Sequence, residues 1–183
     1  MNGTLNFRQA LTERLRIIDP SLSMLEKFNS IHTFKTTPGI KDFINLLRLQ
    51  GTDVFLVSGG FTQMIYPVAK SLDIPYTNVY ANTILFDHVG YYTGFDTNAP
   101  TSYDGGKAET VRRLRLAAGN KGPWIMIGDG VTDLQARPPA DIFIGYGGVI
   151  TRESVKAGAD IFITDFRQLF ADMKNNFFTK TYR

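Results

Sequence analysis

The sequence predicts an α/β fold, Rossmann-like, with a mostly parallel sheet and helices on both of its faces. Three observations point to it. From Thr36 onward, stretches with helical spacing alternate with short apolar runs of strand length, the pattern of repeated β-α units. Two of those runs end abruptly in hydroxyl, glycine or carboxylate residues, Val57-Ser58-Gly59-Gly60 and Ile127-Gly128-Asp129-Gly130. In an open α/β sheet the carboxyl ends of strands are where ligands bind. Between these runs, Ile84-Leu85-Phe86, a polar Asp87-His88-Val89-Gly90 and Tyr91-Tyr92-Thr93-Gly94-Phe95 read as a β-hairpin inserted into the repeat.

Taken in order, residues 6–18 place Phe7, Ala10, Leu11, Leu15 and Ile18 at helical spacing, and Asp19-Pro20 ends that helix. Ser23 with Glu26 forms a capping box for a second helix near 23–30. Thr36-Thr37-Pro38-Gly39 starts a third with proline in its first turn, running to about Leu49 and closed by Gly51. Strands follow near 53–58, 77–81, 124–128, 141–145 and 160–163, and helices near 61–73, 106–118, 131–136, 151–158 and 166–175. Pro67 lies inside the first of these helices and should kink it. The tail from Lys174 to Arg183 has no acids and is expected to fray, with Phe177 and Phe178 as its docking residues. His32 and His88 read as solvated residues without a role.

Composition bounds the classes of function. With 183 residues, 43% hydrophobic and 20% charged, the chain suits one soluble domain with a small appendage. A net charge of +3, dispersed along the chain, gives no case for nucleic acid. There is no cysteine, which excludes disulfides, thiolate metal sites and a cysteine nucleophile. No apolar run approaches the roughly 20 residues that span a bilayer, and no signal-like apolar region opens the sequence. The expected location is the cytoplasm.

The chemistry concentrates at three places. Asp129 and Asp133 stand four apart across a strand-to-helix turn, where two carboxylates can reach one hard cation such as Mg²⁺. The plainer reading is a strand followed by a helix cap. Ser58-Gly59-Gly60 precedes a helical pattern, so a hydroxyl and unhindered backbone amides can face an anion; otherwise Ser58 is a cap. Lys107, behind Gly105-Gly106, opens a helix where a phosphate can dock, or is simply a solvated lysine.

In this order the three places resemble the later motifs of the haloacid dehalogenase superfamily of phosphatases, with Ser58 in motif two, Lys107 in motif three, and Asp129 with Asp133 in motif four. Phe55-Leu56-Val57-Ser58-Gly59-Gly60-Phe61, Ala99-Pro100-Thr101 and Pro138-Pro139-Ala140-Asp141 resemble the phosphoserine phosphatase family within it, as do Phe143-Ile144-Gly145-Tyr146-Gly147-Gly148 and Ile163-Thr164-Asp165-Phe166. Phe7-Arg8 and Ala10 to Leu15 fit that family's helical cap. The resemblance covers residues 1 to 172. It implies a haloacid dehalogenase-like core at 36–183, a partial cap at 1–35, and Mg²⁺-dependent hydrolysis of phosphoserine to serine and phosphate in serine biosynthesis. By the same resemblance Asp129 ligates Mg²⁺. Lys107 neutralises phosphate oxygens and Asp133 orients it or reaches the metal through water. Ser58, Gly59, Gly60 and Thr132 contact the substrate. Arg14 takes the substrate carboxylate, a bidentate contact that suits arginine, although apart from the resemblance it reads as an exposed helix arginine. Arg152 faces the site, and Met1 and Gly3 lie near the substrate, with Asn2 where the family has glycine. Arg14 also disfavours a sugar or nucleotide phosphatase of the same superfamily.

One part of the family's pattern is lacking. Its opening strand ends in Asp-x-Asp-x-Thr or Ser, where the first aspartate attacks phosphorus and the second is acid and base. No Asp-x-Asp occurs in these 183 residues, and the cap carboxylate for the substrate ammonium has no counterpart either. The expectation is a fragment or shortened form of a phosphatase, inactive by itself, or a silent paralogue that binds a phosphorylated ligand or partner. Without the opening strand, two neighbouring strands should present bare edges, so poor stability, homodimerisation or pairing with another chain is expected.

Overall fold

The computed structural model describes residues 6–170. Its helices are α1 (Phe7–Ile18), α2 (Leu22–Ile31), α3 (Ile40–Leu49), α4 (Thr62–Ser71), α5 (Gly106–Ala117), α6 (Val131–Leu134) and α7 (Glu153–Gly158). Its strands are β1 (Leu56–Phe61), β2 (Val79–Asn82), β3 (Ile84–Phe86), β4 (Tyr92–Phe95), β5 (Ile125–Gly128), β6 (Ile142–Tyr146) and β7 (Ile161–Ile163). The elements gather into two compact units. The first holds residues up to Lys35 together with Val54–Gly106, and the second Thr36–Asp53 together with the chain from Lys107 onward. The chain has an α/β fold with parallel strands and an antiparallel hairpin, as the sequence predicts.

In the first unit β1 and β2 run parallel, with Leu56 opposite Val79, Val57 opposite Tyr80 and Phe61 opposite Asn82. Four steps along β1, from Val57 to Phe61, thus match two along β2, and Ser58-Gly59-Gly60 is the bulge between them. The sequence reading places this strand near 53–58; the observed strand starts later and runs through the glycines, Leu56–Phe61. The ladder resumes at Phe61, so the strand continues and α4 follows directly, with Pro67 inside it. β3 and β4 form the expected hairpin, with Ile84 opposite Phe95. Leu11 and Leu15, four apart on α1, share a buried cluster with Ile84 and Phe95, so the first helix is seated on the hairpin. Leu15 is 2% exposed, and Leu15→Ala is expected to cost about 2–5 kcal/mol, through lost burial and the cavity left behind. Arg14→Ala, at the exposed neighbouring position, should stay within about 0.5 kcal/mol. Urea melts of the two variants check this contrast.

The helix starts differ in detail from the sequence reading. α1 has a capping box, Asn6 with Gln9: the Asn6 Oδ1 accepts from the Gln9 N–H at 2.9 Å and the Gln9 Oε1 accepts from the Asn6 N–H at 3.0 Å. α2 is capped by Ser21, whose Oγ accepts from the Met24 N–H, and not by Ser23. α3 begins at Ile40, after the proline, because Gly39 has φ 81°, a conformation no right-handed helix contains.

In the second unit β5, β6 and β7 form a parallel sheet in that order. Along β6, Ile142 and Ile144 join Phe43 of α3, Ile163, Phe166 and Leu169 in one buried cluster. Phe143 between them joins Val111 of α5, Met126, Ala136, Ala140 and Val155 of α7 in another. The sheet is therefore covered on both faces, as parallel strands require, and this explains why Ile-Phe-Ile reads as an unbroken apolar run. Among the described residues β1 pairs only with β2 and β5 only with β6, so each keeps one edge without a strand. A helical turn begins at residue 168; the rest of the helix expected at 166–175, and the tail, lie outside the described residues.

Candidate functional site

The functional side chains of the second unit collect where β5 ends. Lys107 is the second residue of α5, and Asp133 lies in the first turn of α6. The Lys107 Nζ donates to the Asp133 Oδ1 at 2.5 Å, with the two side chains only 19% and 7% exposed. The other oxygen, Oδ2, accepts the Gly130 backbone N–H at 3.0 Å, so Asp133 also caps its own helix. Both carboxylate oxygens are engaged, and the lysine head is held in one place. The neighbouring acid on α5 does not compete for it. Glu109 is clasped by Arg112 and Arg113, and their hydrogen bonds pull its carboxyl down to about 2.

Two glycines allow this arrangement. A Cβ on Gly128 would overlap the Cγ, Cβ and Oδ2 of Asp133, so the carboxylate lies directly over the glycine's bare Cα. In the first unit, a Cβ on Gly106 would overlap the backbone of Pro100 and Thr101, so the residue that opens α5 ahead of Lys107 has to be glycine.

Asp129, one residue past β5, points to the surface. Its carboxylate pairs with Arg152, whose Nη1 also donates to the Asp129 carbonyl at 2.7 Å. The side chains are 57% and 43% exposed. The sequence reading places Arg152 toward a substrate; the structure pairs it with the candidate metal ligand. Thr132 is exposed on the first turn of α6.

The donors fit Mg²⁺ in part. Among the described residues no group of three or more His, Cys, Asp or Glu could hold a metal ion. Mg²⁺ needs only one or two carboxylates, with water and phosphate oxygens completing its shell. Asp129 offers such a carboxylate at an exposed strand end. Asp133 accepts one hydrogen bond at each oxygen, from the Lys107 Nζ and from the Gly130 N–H.

The first unit carries the other candidates. Ser58, Gly59 and Gly60 are half-buried in the bulge of β1. The Ser58 Oγ accepts the Gly60 N–H at 3.0 Å, which leaves its own hydroxyl proton free to donate. The Gly59 carbonyl accepts from the Asn82 Nδ2 at 2.8 Å. Arg14 is exposed on α1. Met1 and Gly3 lie outside the described residues. Sequence reasoning passed over Asn82, because an asparagine closing the run Val79-Tyr80-Ala81 carries no local signal of what it holds.

Residues 4–136 match the family of haloacid dehalogenase-like hydrolases. Phosphoserine phosphatase of Mus musculus is 44% identical over 174 residues, which cover 95% of this chain and 77% of that protein. The chloroplastic phosphoserine phosphatase of Arabidopsis thaliana is 47% identical over 92% of this chain and 58% of its own length. Among solved structures, a phosphoserine phosphohydrolase-like protein from Francisella tularensis matches with a TM-score of 0.78 at 27% identity, covering 91% of this chain and 77% of that one. A phosphoserine phosphatase solved as a phospho-aspartyl intermediate analogue matches with a TM-score of 0.74 at 25% identity, covering 91% and 78%.

Proposed function

The chain belongs to the haloacid dehalogenase-like hydrolases, and from that premise we propose that it carries the phosphate-handling machinery of a Mg²⁺-dependent phosphoserine phosphatase acting in serine biosynthesis in the cytoplasm. The observation that carries this reading is the Lys107–Asp133 pair, a lysine ammonium fixed beside the end of β5. A phosphomonoester bears close to two negative charges, and preorganised cations and N–H donors stabilise it without reorganising as it reacts. Lys107 neutralises phosphate oxygens while Asp133 keeps its head in place. The Ser58 hydroxyl, whose proton is free, and the Gly59 backbone amide donate to phosphate, and Thr132 hydrogen-bonds the substrate. Arg14 takes the carboxylate of phosphoserine, with residues 1–35 serving as a partial cap on a core of 36–183. Asp129 is the residue that would hold Mg²⁺, which when bound supplies positive charge to the phosphoryl oxygens.

The attacking aspartate is not among these 183 residues, since no Asp-x-Asp occurs in them. A polypeptide of these residues alone is therefore expected to release no phosphate from phosphoserine with Mg²⁺ present, because removing the attacking group from a site that acts as a unit leaves little catalysis. Joining an Asp-x-Asp-x-Thr strand and the remaining cap residues to its N-terminus is expected to switch turnover on. Asp129→Asn and Lys107→Ala should then each lower kcat by about 10²–10³. Robust turnover by the 183 residues alone would overturn the assignment of the nucleophile. A silent joined chain that still binds phosphate would favour the silent, ligand-binding paralogue.

A further inference from the structure

We propose that Arg8 is a positioning residue for substrate selection: its clasp on residues 97–104 fixes how α1 is turned, and so where Arg14 stands to meet the carboxylate of phosphoserine. This inference rests on the reading of Arg14 as the carboxylate contact. Arg8 lies in the first turn of α1. Its Nη2 gives one proton to the Thr97 carbonyl at 2.9 Å and the other to the buried Ser102 Oγ at 3.2 Å. Its guanidinium carbon stands 5.4 Å from the centre of the Tyr103 ring, a cation over an aromatic face. Beside it the Phe7 N–H, one of the donors that a helix start leaves open, meets the Asp104 Oδ2 at 3.1 Å.

The segment that Arg8 grips is itself anchored to β1. The Thr101 Oγ1 donates to the Asn82 Oδ1, and the Asn82 Nδ2 donates to the Gly59 carbonyl. The start of α1 is thereby tied, through 97–104, to the strand that carries Ser58. Leu11 and Leu15 hold the middle of α1 on the hairpin by apolar contact, which is not directional and resists a turn of the helix only weakly. Hydrogen bonds are directional, so the clasp sets the turn. The Phe7 ring lies against Gly59, its Cζ 3.2 Å from where a Cβ on that glycine would stand. Arg14, seven residues on, shares the stripe of α1 that carries Phe7, about 10 Å further along the axis. Turning α1 by roughly 20° would carry a group about 6 Å from the axis sideways by about 2 Å. A bidentate contact to a carboxylate does not survive a shift of that size. Arg8 thus acts through Arg14 and touches no substrate.

The test is calorimetric titration of the 183-residue chain, with Mg²⁺ present, by phosphoserine and by phosphoethanolamine, which lacks the carboxylate. The parent is expected to prefer phosphoserine about tenfold, the size of one hydrogen bond to a charged group. Arg8→Met should remove most of that preference and leave the affinity for phosphoethanolamine as it was. Added to Arg14→Met, it should change nothing more, because the two residues act on one contact. Asp104→Ala, at an exposed position, should lose part of the preference, and it decides if Arg8→Met does not fold. A preference kept intact in the folded Arg8→Met chain, or in Asp104→Ala where that stands in for it, overturns the clasp. So does an equal weakening of both ligands, which is what a merely structural role produces. A parent that does not distinguish the two ligands overturns instead the reading of Arg14, and the inference falls with it.

Discussion

Replacing Gly128 with alanine is expected to unseat Asp133 and to cost the folded chain about 3 kcal/mol or more, as an overpacked contact adds to a disrupted buried ion pair. The added methyl has no space, because the Cγ, Cβ and Oδ2 of Asp133 already occupy it. Strand β5 cannot retreat, since Gly128 is paired with Gly145 on β6 and the three residues before it are paired too. The carboxylate has to move, which separates it from both the Lys107 ammonium and the Gly130 N–H. Gly130→Ala is the matched comparison. Its φ of −115° suits any residue, and its Cβ would meet the Asp133 Oδ2 at 3.3 Å, relieved by a shift of a few tenths of an ångström. It should cost less than about 1 kcal/mol. Urea denaturation of the two variants measures the difference, and equal losses would show that Asp133 does not lie where the glycine argument requires.

Lys107→Met is expected to destabilise the chain by about 3 kcal/mol, and Lys107→Met with Asp133→Asn by distinctly less. The asymmetry comes from burial. With its partner gone, Asp133 at 7% exposure keeps a charge that water hardly reaches, whereas Asp133→Asn alone leaves a 19% exposed lysine whose long stem can swing toward solvent. The amide also retains an acceptor for the Gly130 N–H. A double-mutant cycle on the denaturation free energies isolates the coupling. Simple additivity would mean that the pair does not interact in the folded chain.

These two positions also separate what the amino-acid sequence discloses from what it hides. Lys107, Asp129 and Asp133 are legible because each stands at a junction between a helix and an apolar run, where a charged residue is unusual. The strands of the second unit are legible for a similar reason: Ile142-Phe143-Ile144 is apolar because both faces of β6 are covered. The end of β1 is not legible. The sequence reading places its strand near 53–58, and nothing local signals the bulge at Gly59-Gly60 or that the Gly59 carbonyl bonds the side chain of Asn82, 23 positions away. The caps divide in the same way. Ser21 and Ser23 differ only in which hydroxyl meets the Met24 N–H, a matter of two residues that composition cannot resolve. The partner chosen by Arg152 depends on how β5 and the start of α7 come together, which spacing along the chain does not encode.

The pair between Arg152 and Asp129 sets a quantitative bound on competition. Ion pairs this exposed contribute about 0.2–1 kcal/mol. A divalent cation arriving at the Asp129 carboxylate therefore has to outbid the guanidinium by no more than about fivefold in affinity, since each 1.4 kcal/mol is a factor of ten. Such a weak occupant does not lock the carboxylate away. It neutralises the acid and exchanges readily, while a second hydrogen bond from the guanidinium to the Asp129 carbonyl keeps the arginine at the strand end.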